Sequence, residues 1–376
     1  MASLRKFTKR LSLLLNIAVG FLFLLSCCNA FLHPDRWWFV SLLAFFFPLL
    51  LILLIGFLIF WIFVCARYAL ISGICLLIGW QNIHAFFGFN PAGHDFSHKD
   101  STAIRIMTWN VRSWDEFTTR KTGASDHRQL MMNLIASQNA DILCFQEFYE
   151  PADSTKSNIR YISKELKFPY LFFSRDYYNH SNKSQNGVII FSKYPIKATS
   201  QKHFTRENGT SAESIISADI NIRGKMIRVF TTHLQSVLFK RKDFRNVEII
   251  RNAEDSMLEA SRSIVKKLKS ALSLRGYQAD TVRNLLDRSP YPQFICGDFN
   301  DVPNSYTYFH IRGDRQDAFI AKCFGIGRSY VNISPTLRID YILPSMEFKI
   351  LQTMKLTAPY SDHHALLTDL QLSDNQ

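Results

Sequence analysis

Apolar residues dominate the first quarter of the chain. From Leu11 to Phe89 the residues are mainly Leu, Phe, Ile and Trp, and charge interrupts them only at Asp35, Arg36 and Arg67. A helix rises about 1.5 Å per residue, so about 20 apolar residues cross the hydrocarbon core of a membrane. The pattern therefore predicts three transmembrane helices, in the uncharged stretches Leu11–Leu32, Trp37–Ala66 and Tyr68–Gly93.

The basic residues that flank these stretches predict their orientation. Arg5, Lys6, Lys9 and Arg10 precede the first stretch, and Arg67 separates the second from the third. Because positively charged flanks stay in the cytoplasm, we expect the N-terminus and Arg67 there. Three spans then make the chain an integral membrane protein whose later residues form an extracytoplasmic domain.

A cleavable signal is the alternative interpretation of the first stretch. The sequence LLSC, which ends at Cys27, resembles a bacterial lipobox, whose cysteine becomes lipidated. Cleavage there would leave two spans and the same extracytoplasmic location. None of the seven cysteines forms a CxxC pair, so Cys144 and Cys296, which lie in strand-like runs, are interpreted as buried thiols.

The hydropathy pattern changes sharply after the third stretch. Residues 94–103 form a polar linker between the membrane segment, 1–93, and a domain over 104–376. In this domain, apolar runs rich in β-prone residues recur, and helical spacing of apolar residues appears between some of them. Strands with interspersed helices predict an α/β fold, a two-sheet α/β sandwich that follows three transmembrane helices.

The elements of this domain follow from the same pattern. Apolar spacing predicts helices in Arg128–Gln138 and Ser261–Leu274, and Arg223-Gly224-Lys225 predicts a hairpin turn. The predicted strands are Ile104–Val111, Ile142–Gln146, Gly187–Phe191, Ile215–Ile222, Met226–His233, Phe294–Gly297, Ile339–Leu343 and Ala365–Leu370.

Charge narrows the class of partner. The formal net charge is +13, and residues 1–96, with six basic and two acidic residues, leave +9 for residues 97–376. A basic domain favours an anionic partner such as nucleic acid, a phosphorylated molecule or a membrane surface. The segment Ser236–Gln293 carries +5 of this charge, and its Lys240 and Arg241 are candidate contacts to phosphate groups. A solvated helical face is the alternative interpretation.

Short polar clusters end or interrupt the apolar strands, and each contains Asn, Asp, Glu or His. Phosphoester hydrolysis needs a cation that neutralises the phosphate, a group that deprotonates water, and donors toward the phosphoryl oxygens. Carboxylate and amide oxygens suit Mg²⁺ or Mn²⁺. The clusters are WN (109–110), QE (146–147), THL (232–234), GDFN (297–300), RIDY (338–341) and SDHH (361–364).

The order of these clusters resembles the signature series of the endonuclease/exonuclease/phosphatase superfamily. Its members include secreted deoxyribonucleases, abasic-site endonucleases, neutral sphingomyelinases and inositol polyphosphate 5-phosphatases. The resemblance spans Ile104 to Leu370 and implies metal-dependent phosphoester hydrolysis with Mg²⁺ or Mn²⁺. The DNA-clamping loops of abasic endonucleases and the lengthened motifs of inositol phosphatases have no obvious counterpart here. The long basic insertion before GDFN, together with the three N-terminal spans, is most like bacterial membrane members of the superfamily.

The resemblance also implies roles for individual residues. Glu147 matches the principal metal ligand, Asn110 lies beside it, and Asp362 matches the acidic residue that completes the metal or water shell.

Five other positions match catalytic residues of the family. His363 matches the histidine that contacts the scissile phosphate, and Asp340 matches the carboxylate that holds its other ring nitrogen. Asp298 matches the residue that orients or deprotonates the attacking water. Asn300 and His233 match residues that contact the phosphoryl group.

Asn186 begins the segment NGVIIFSKYP, which also resembles a segment of the family. The family segment that it resembles lies near the site, which makes Asn186 a candidate substrate contact. A turn formed by Asn-Gly is the alternative interpretation.

The expected function is hydrolysis of a phosphoester at the outer face of the membrane, on a membrane-proximal or lipid substrate. The alternative is a membrane-tethered endonuclease or exonuclease that acts on extracytoplasmic nucleic acid. A non-catalytic binding module would have lost a matched residue, and all of them are present. A transporter or channel is disfavoured because the three stretches contain no Asp, Glu, Lys or Arg. The sequence indicates no protein partner.

The orientation generates the first prediction. A reporter that is active only outside the cytoplasm should be active when fused after Gln376 and silent when fused at Arg67. Measuring reporter activity in whole cells checks this result, and the reverse pattern would overturn the assigned orientation.

Overall fold

The chain divides into two compact units that do not follow its linear order. The computed structural model describes residues 2–91, 96, 98–116, 127–204, 213–239, 241–252, 254 and 256–373. The first unit combines Met1–Phe87, Val237–Tyr277 and Asp301–His310. The second unit combines Gly88–Ser236, Gln278–Asn300 and Ile311–Gln376.

The helices of the described residues are, in chain order, α1 (Ala2–Cys27), α2 (Pro34–Ser41), α3 (Leu43–Val64), α4 (Ala66–Ile78), α5 (Trp80–Phe86), α6 (His127–Ser137), α7 (Asn158–Arg160), α8 (Arg241–Arg251), α9 (Met257–Asp287), α10 (Tyr306–Arg312) and α11 (Ala318–Lys322). The strands are β1 (Gly88–Phe89), β2 (Ile104–Asn110), β3 (Ile142–Glu150), β4 (Tyr170–Phe173), β5 (Tyr177–Asn179), β6 (Ser184–Ser192), β7 (Ile196–His203), β8 (Ser214–Ile222), β9 (Lys225–His233), β10 (Gln293–Asp298), β11 (Phe324–Gly325), β12 (Asp340–Pro344), β13 (Phe348–Leu356) and β14 (Ala365–Leu372).

Two stretches of the first unit are long and apolar enough to cross a membrane. They are Ser3–Ala30, with 28 residues, and Pro34–Val64, with 31 residues. The prediction of a continuous third helix was wrong, because α4 and α5 meet at a bend of 62°. The bend lies at Gly79, where an added Cβ would lie 2.4 Å from the Phe23 ring. Glycine therefore admits the aromatic ring of α1 at this point, a contact that hydropathy does not reveal.

The second unit contains the two predicted sheets. One sheet has the strand order β12-β10-β9-β8-β7, and the other has the order β13-β14-β2-β3-β6-β4, with β5 paired to β6. Ile106 and Cys144 of one sheet share a buried core with Val229 and Cys296 of the other. The prediction of an α/β fold with two packed sheets is confirmed.

The predicted strands are all present, and the strands that were missed lie at sheet edges. β4, β7 and β13 each end a sheet. Most residues of β7 are exposed, and β13 alternates between buried and partly exposed positions. An edge strand buries little apolar surface, so its sequence lacks the continuous apolar run that marks a central strand.

Gly297 is the position where the five-stranded sheet depends most clearly on a glycine. Its φ is +139°, and an added Cβ would lie 2.1 Å from the Thr232 carbonyl oxygen. Only glycine permits this close approach of β10 to β9.

We therefore predict that Gly297→Ala destabilises the protein more than Gly224→Ala does. Gly224 also has a left-handed φ, +86°, but no atom lies within 4 Å of its added Cβ. Backbone strain costs about 1 to 3 kcal/mol at either position, so the difference between the variants measures the clash. Thermal unfolding of the purified chain checks the order, and equal losses would contradict it.

Candidate active site

Strand register places three ionisable residues side by side at one end of the five-stranded sheet. Asp298 ends β10, where it pairs with His233 of the parallel strand β9 and with Asp340 of the antiparallel strand β12. The three residues therefore occupy the same level on neighbouring strands. In the other sheet, Asn110 ends β2 opposite Gln146, and Glu147 follows in β3.

A bulge gives Glu147 its direction. The pairing of β3 with β6 is irregular between Phe145 and Phe148, and Glu147 has a left-handed φ of +48°. A bulge re-aims side chains relative to a regular strand. The Glu147 side chain remains 38% exposed while its neighbours in β3 are mostly buried.

Asn110 joins two carboxylates from different sheets. Its Nδ2 donates to Glu147 Oε1 at 3.1 Å and to Asp298 Oδ2 at 3.1 Å. Its Oδ1 accepts from the Arg112 backbone N–H at 3.0 Å. One buried amide therefore sets the spacing of Glu147 and Asp298.

His363 is held from both sides of its ring. Its Nδ1 lies 2.9 Å from Asp340 Oδ2, and its Nε2 lies 3.7 Å from Asp298 Oδ2. The Trp109 indole N–H donates to the His363 carbonyl oxygen at 2.8 Å, and the His363 backbone N–H donates to Ser361 Oγ at 3.1 Å. The orientation of the imidazole is therefore fixed before any substrate binds.

The net effect of burial and neighbouring charges is to raise the pKa of both central groups, Asp298 and His363. Burial and the Asp340 carboxylate raise the pKa of Asp298 to about 6, although His363 and His233 oppose this shift. Burial alone would lower the pKa of His363, but the carboxylates of Asp340 and Asp298 outweigh it and raise the pKa to about 10. At neutral pH a cationic imidazole thus faces a buried carboxylate.

The remaining predicted residues surround this centre. His233 Nε2 lies 3.6 Å from Asp298 Oδ2 and 3.9 Å from Glu147 Oε1. Burial raises the pKa of Asp362. The Asn300 backbone N–H donates to Asp298 Oδ1 at 2.8 Å, and its Nδ2 donates to the Leu234 carbonyl oxygen at 2.9 Å. One hydrogen of the Asn300 amide is thus committed to the protein.

The three candidate substrate contacts are placed differently. Asn186 lies in β6, and its Nδ2 donates to Ser113 Oγ at 3.0 Å, in the turn that follows Asn110. Lys240 lies outside the described residues. Arg241 begins α8, but the structure does not describe its side chain.

Two residues near the centre escaped prediction. The Tyr330 ring lies 4.9 Å from the His363 ring, and Arg112 Nε lies 3.6 Å from Asp362 Oδ2. Arg112 follows Asn110 by two residues, which is a usable signal. Tyr330 lies in an irregular loop with no pattern, so only the fold brings it to His363.

The donor set fits a divalent cation. Asp298, Asp340 and His363 offer ligand atoms within 4.8 Å of one another, and Glu147 faces them across Asn110. Among the described residues, Asp340 Oδ1 is buried and has no hydrogen-bond partner. Several carboxylates that are this close repel one another, and a hard cation with oxygen ligands relieves that repulsion.

Solved structures of other proteins share this fold, among them the following two. The catalytic domain of human Nocturnin, determined with a bound sulfate anion, is 16% identical in sequence and has a TM-score of 0.51. The match covers 73% of this chain and 97% of the Nocturnin chain. A protein of the endonuclease/exonuclease/phosphatase family from Leptotrichia buccalis C-1013-b is 18% identical in sequence and has a TM-score of 0.50. The match covers 72% of this chain and 100% of the Leptotrichia chain.

Comparison with family models assigns both parts of the chain. A sequence search among characterised proteins found no match. Residues 9–86 match a domain of unknown function. Residues 107–363 match the model described as the Endonuclease/Exonuclease/phosphatase family, and this range contains every residue of the site. Because the match covers more than half of the chain and includes the whole site, the chain belongs to the endonuclease/exonuclease/phosphatase family.

Proposed function

We propose that the chain is a divalent-metal-dependent phosphoester hydrolase that is anchored in the cytoplasmic membrane and acts at its outer face. The observation that carries the hydrolase assignment is the environment of the Asp298 carboxylate. This group is 1% exposed and faces the ring nitrogens of both His233 and His363. A buried carboxylate between two histidines suits proton transfer from water and binding of an anionic group.

The side chains divide the chemistry between them. Asp298 accepts a proton from the attacking water as its oxygen bonds to phosphorus, and the ester P–O bond breaks. The leaving oxygen takes a proton from solvent, so a diester gives a monoester and an alcohol. His363, which Asp340 holds through Nδ1, places a positive charge toward the phosphoryl oxygens, where negative charge increases.

Glu147, Asn110 and Asp362 are the residues that would hold Mg²⁺ or Mn²⁺. The Nδ1 of His363 is already engaged by Asp340, so these two residues form a catalytic pair in preference to a ligand pair. Glu147 is the most exposed carboxylate of the site, which leaves it accessible to an ion. When bound, the cation neutralises phosphate charge in both the substrate and the transition state.

Contacts inside the first unit support three membrane crossings. Asp35, between α1 and α3, accepts hydrogen bonds from Ser273 and Tyr277 of α9. These groups must lie on the same side of a membrane, so an even number of crossings separates them. Helix α3 supplies one crossing, and the bent pair α4–α5 supplies the second. Among the described residues after Phe86, no helix is long and apolar enough to add another.

The surface of the first unit supports a substrate at the membrane. Phe244 and Leu258 are exposed large apolar side chains of α8 and α9, and Lys242 and Arg245 are exposed beside Phe244 in sequence. Apolar and basic side chains together suit the boundary between acyl chains and anionic head groups. These residues share a compact unit with the apolar helices. Phospholipid head groups or other membrane-proximal phosphoesters are therefore the favoured substrates.

A nuclease that acts on extracytoplasmic nucleic acid is the second candidate. The charge of +9 on residues 97–376 favours it, because phosphate backbones attract basic surfaces. The chemistry at Asp298 and His363 would be the same, so only the substrate separates the two candidates.

The first test concerns the reaction. The full-length chain in detergent should hydrolyse bis(p-nitrophenyl) phosphate with Mg²⁺ or Mn²⁺ and should stop with EDTA. Asp298→Ala and His363→Ala should each lower kcat about a hundredfold, since each removes a proton acceptor or a charge partner of the transition state. The exposed His180 provides the control, and His180→Ala should keep full activity. Hydrolysis that resists EDTA and both site variants would refute the mechanism.

The second test concerns the substrate. Lys242→Gln combined with Arg245→Gln should lower turnover of anionic liposomes about thirtyfold, because each well-placed basic residue contributes about 1 kcal/mol at such a surface. Turnover of the soluble chromogenic substrate should not change. Lys197→Gln combined with Lys202→Gln, at exposed positions of the edge strand β7, is the matched control and should leave both activities unchanged.

Plasmid nicking at physiological salt, measured with the same enzyme concentration, separates the candidates. Head-group release from liposomes without nicking supports the membrane substrate. Efficient nicking without liposome activity would replace it with the nuclease assignment.

A further inference from the structure

The first turn of α2 contacts one turn of α9. Asp35 Oδ1 accepts from Ser273 Oγ at 2.6 Å, and Asp35 Oδ2 accepts from Tyr277 OH at 2.9 Å. An added Cβ at Gly276 would lie 2.7 Å from Pro34 Cγ. The contact is therefore close to the helix backbone and is fixed by two charge-assisted hydrogen bonds.

The same turn of α9 carries a completely buried arginine. Arg275 is 0% exposed, and its Nε lies 3.2 Å from Asp301 Oδ2. Asp301 also accepts from Thr307 Oγ1 at 2.8 Å and from the Val302 backbone N–H at 3.0 Å. A buried carboxylate with these partners can shift only if an ion pair breaks in a low dielectric.

Asp301 is the residue that directly follows Asn300. Asn300 has a left-handed φ of +54°, and its backbone N–H donates to Asp298 Oδ1. Fixing Asp301 therefore fixes the end of the turn that holds Asn300 against Asp298.

The next turn of α9, which belongs to the second unit, reaches the segment after His233. Gln278 Oε1 accepts from the Gln235 backbone N–H at 2.8 Å, and both side chains are buried. Positions 275 and 278 of a helix share one face. Within the second unit, Gln278 thus holds the segment that follows His233.

The segment after the GDFN cluster is also fastened to the apolar helices. The Tyr306 ring lies 5.0 Å from the His33 ring, and Asn82 Nδ2 donates to Asn304 Oδ1 at 3.0 Å in a buried contact. Residues 301–310 consequently belong to the same compact unit as α1 to α5.

We propose that Arg275 is a positioning residue for hydrolysis, and that the apolar helices serve catalysis through it in addition to anchoring the chain. Asp35 in the first turn of α2 holds α9, Arg275 of α9 holds Asp301, and Asp301 sets the position of Asn300. This inference rests on the proposed hydrolase function. It requires that loss of the Arg275–Asp301 pair lowers kcat while substrate binding persists.

The test compares kcat and KM of the full-length chain in detergent, with bis(p-nitrophenyl) phosphate and Mg²⁺. Arg275→Met should lower kcat at least about tenfold with KM within about twofold, because a displaced phosphate-contacting group costs rate more than binding. Arg275→Lys keeps the charge and should recover most of the loss. Arg262→Met, at an exposed position of α9, is the control and should match the wild type.

A second variant keeps the buried pair intact. Ser273→Ala combined with Tyr277→Phe removes both donors to Asp35 and should lower kcat about threefold without a change in KM. This variant decides the question if Arg275→Met fails to fold. Wild-type kcat in the double variant and in every folded Arg275 variant would overturn the inference. An inactive wild-type chain would instead refute the proposed function.

Discussion

Strand β10 is paired on both of its sides at Asp298, and this double pairing fixes the candidate site. Parallel pairing with β9 brings His233 to one side, and antiparallel pairing with β12 brings Asp340 to the other. A slip of one residue in either pairing would turn the Asp298 side chain to the opposite face of the sheet. Parallel neighbours also need a long crossover connection, and the basic segment that contains α8 and α9 is that connection. The basic segment Ser236–Gln293 thus provides a connection that the topology of the sheet requires.

Electrostatic strain accompanies this geometry. Asp298 and Asp340 are both buried, and Asn110 draws the Glu147 carboxylate toward them. Burial of like charges is unfavourable unless cations or donors compensate. Apart from the effect of burial, the raised pKa of Asp298 and the strongly raised pKa of His363 have a common cause. Neighbouring carboxylates disfavour the charged form of Asp298 and favour the charged form of His363. In the proposed function, this buried negative charge favours a cation, and the cation together with the protonated His363 would neutralise an anionic phosphoryl group.

The sequence predicted the parts of the fold that depend on continuous apolar runs. Central strands such as β3 and β10 were predicted because both of their faces are buried, whereas the edge strand β7 shows no such run. The polar clusters predicted which residues lie near the site, but their contacts depend on register. Nothing in the sequence pairs Arg275 with Asp301, which lie 26 positions apart without a shared pattern. The bend at Gly79 was likewise hidden, because it depends on a ring from another helix.

The discontinuous composition of the first unit has a consequence for biosynthesis. A ribosome delivers the chain from its N-terminus, and each segment can fold only after it has emerged. Helices α1 to α5 emerge first, while their partners in residues 237–277 and 301–310 are still to be made. The side chains of His33, Asp35 and Asn82 are therefore synthesised long before the residues that they contact. The first unit can be completed only when translation has passed His310, so a nascent chain has its apolar helices long before they have all of their partners.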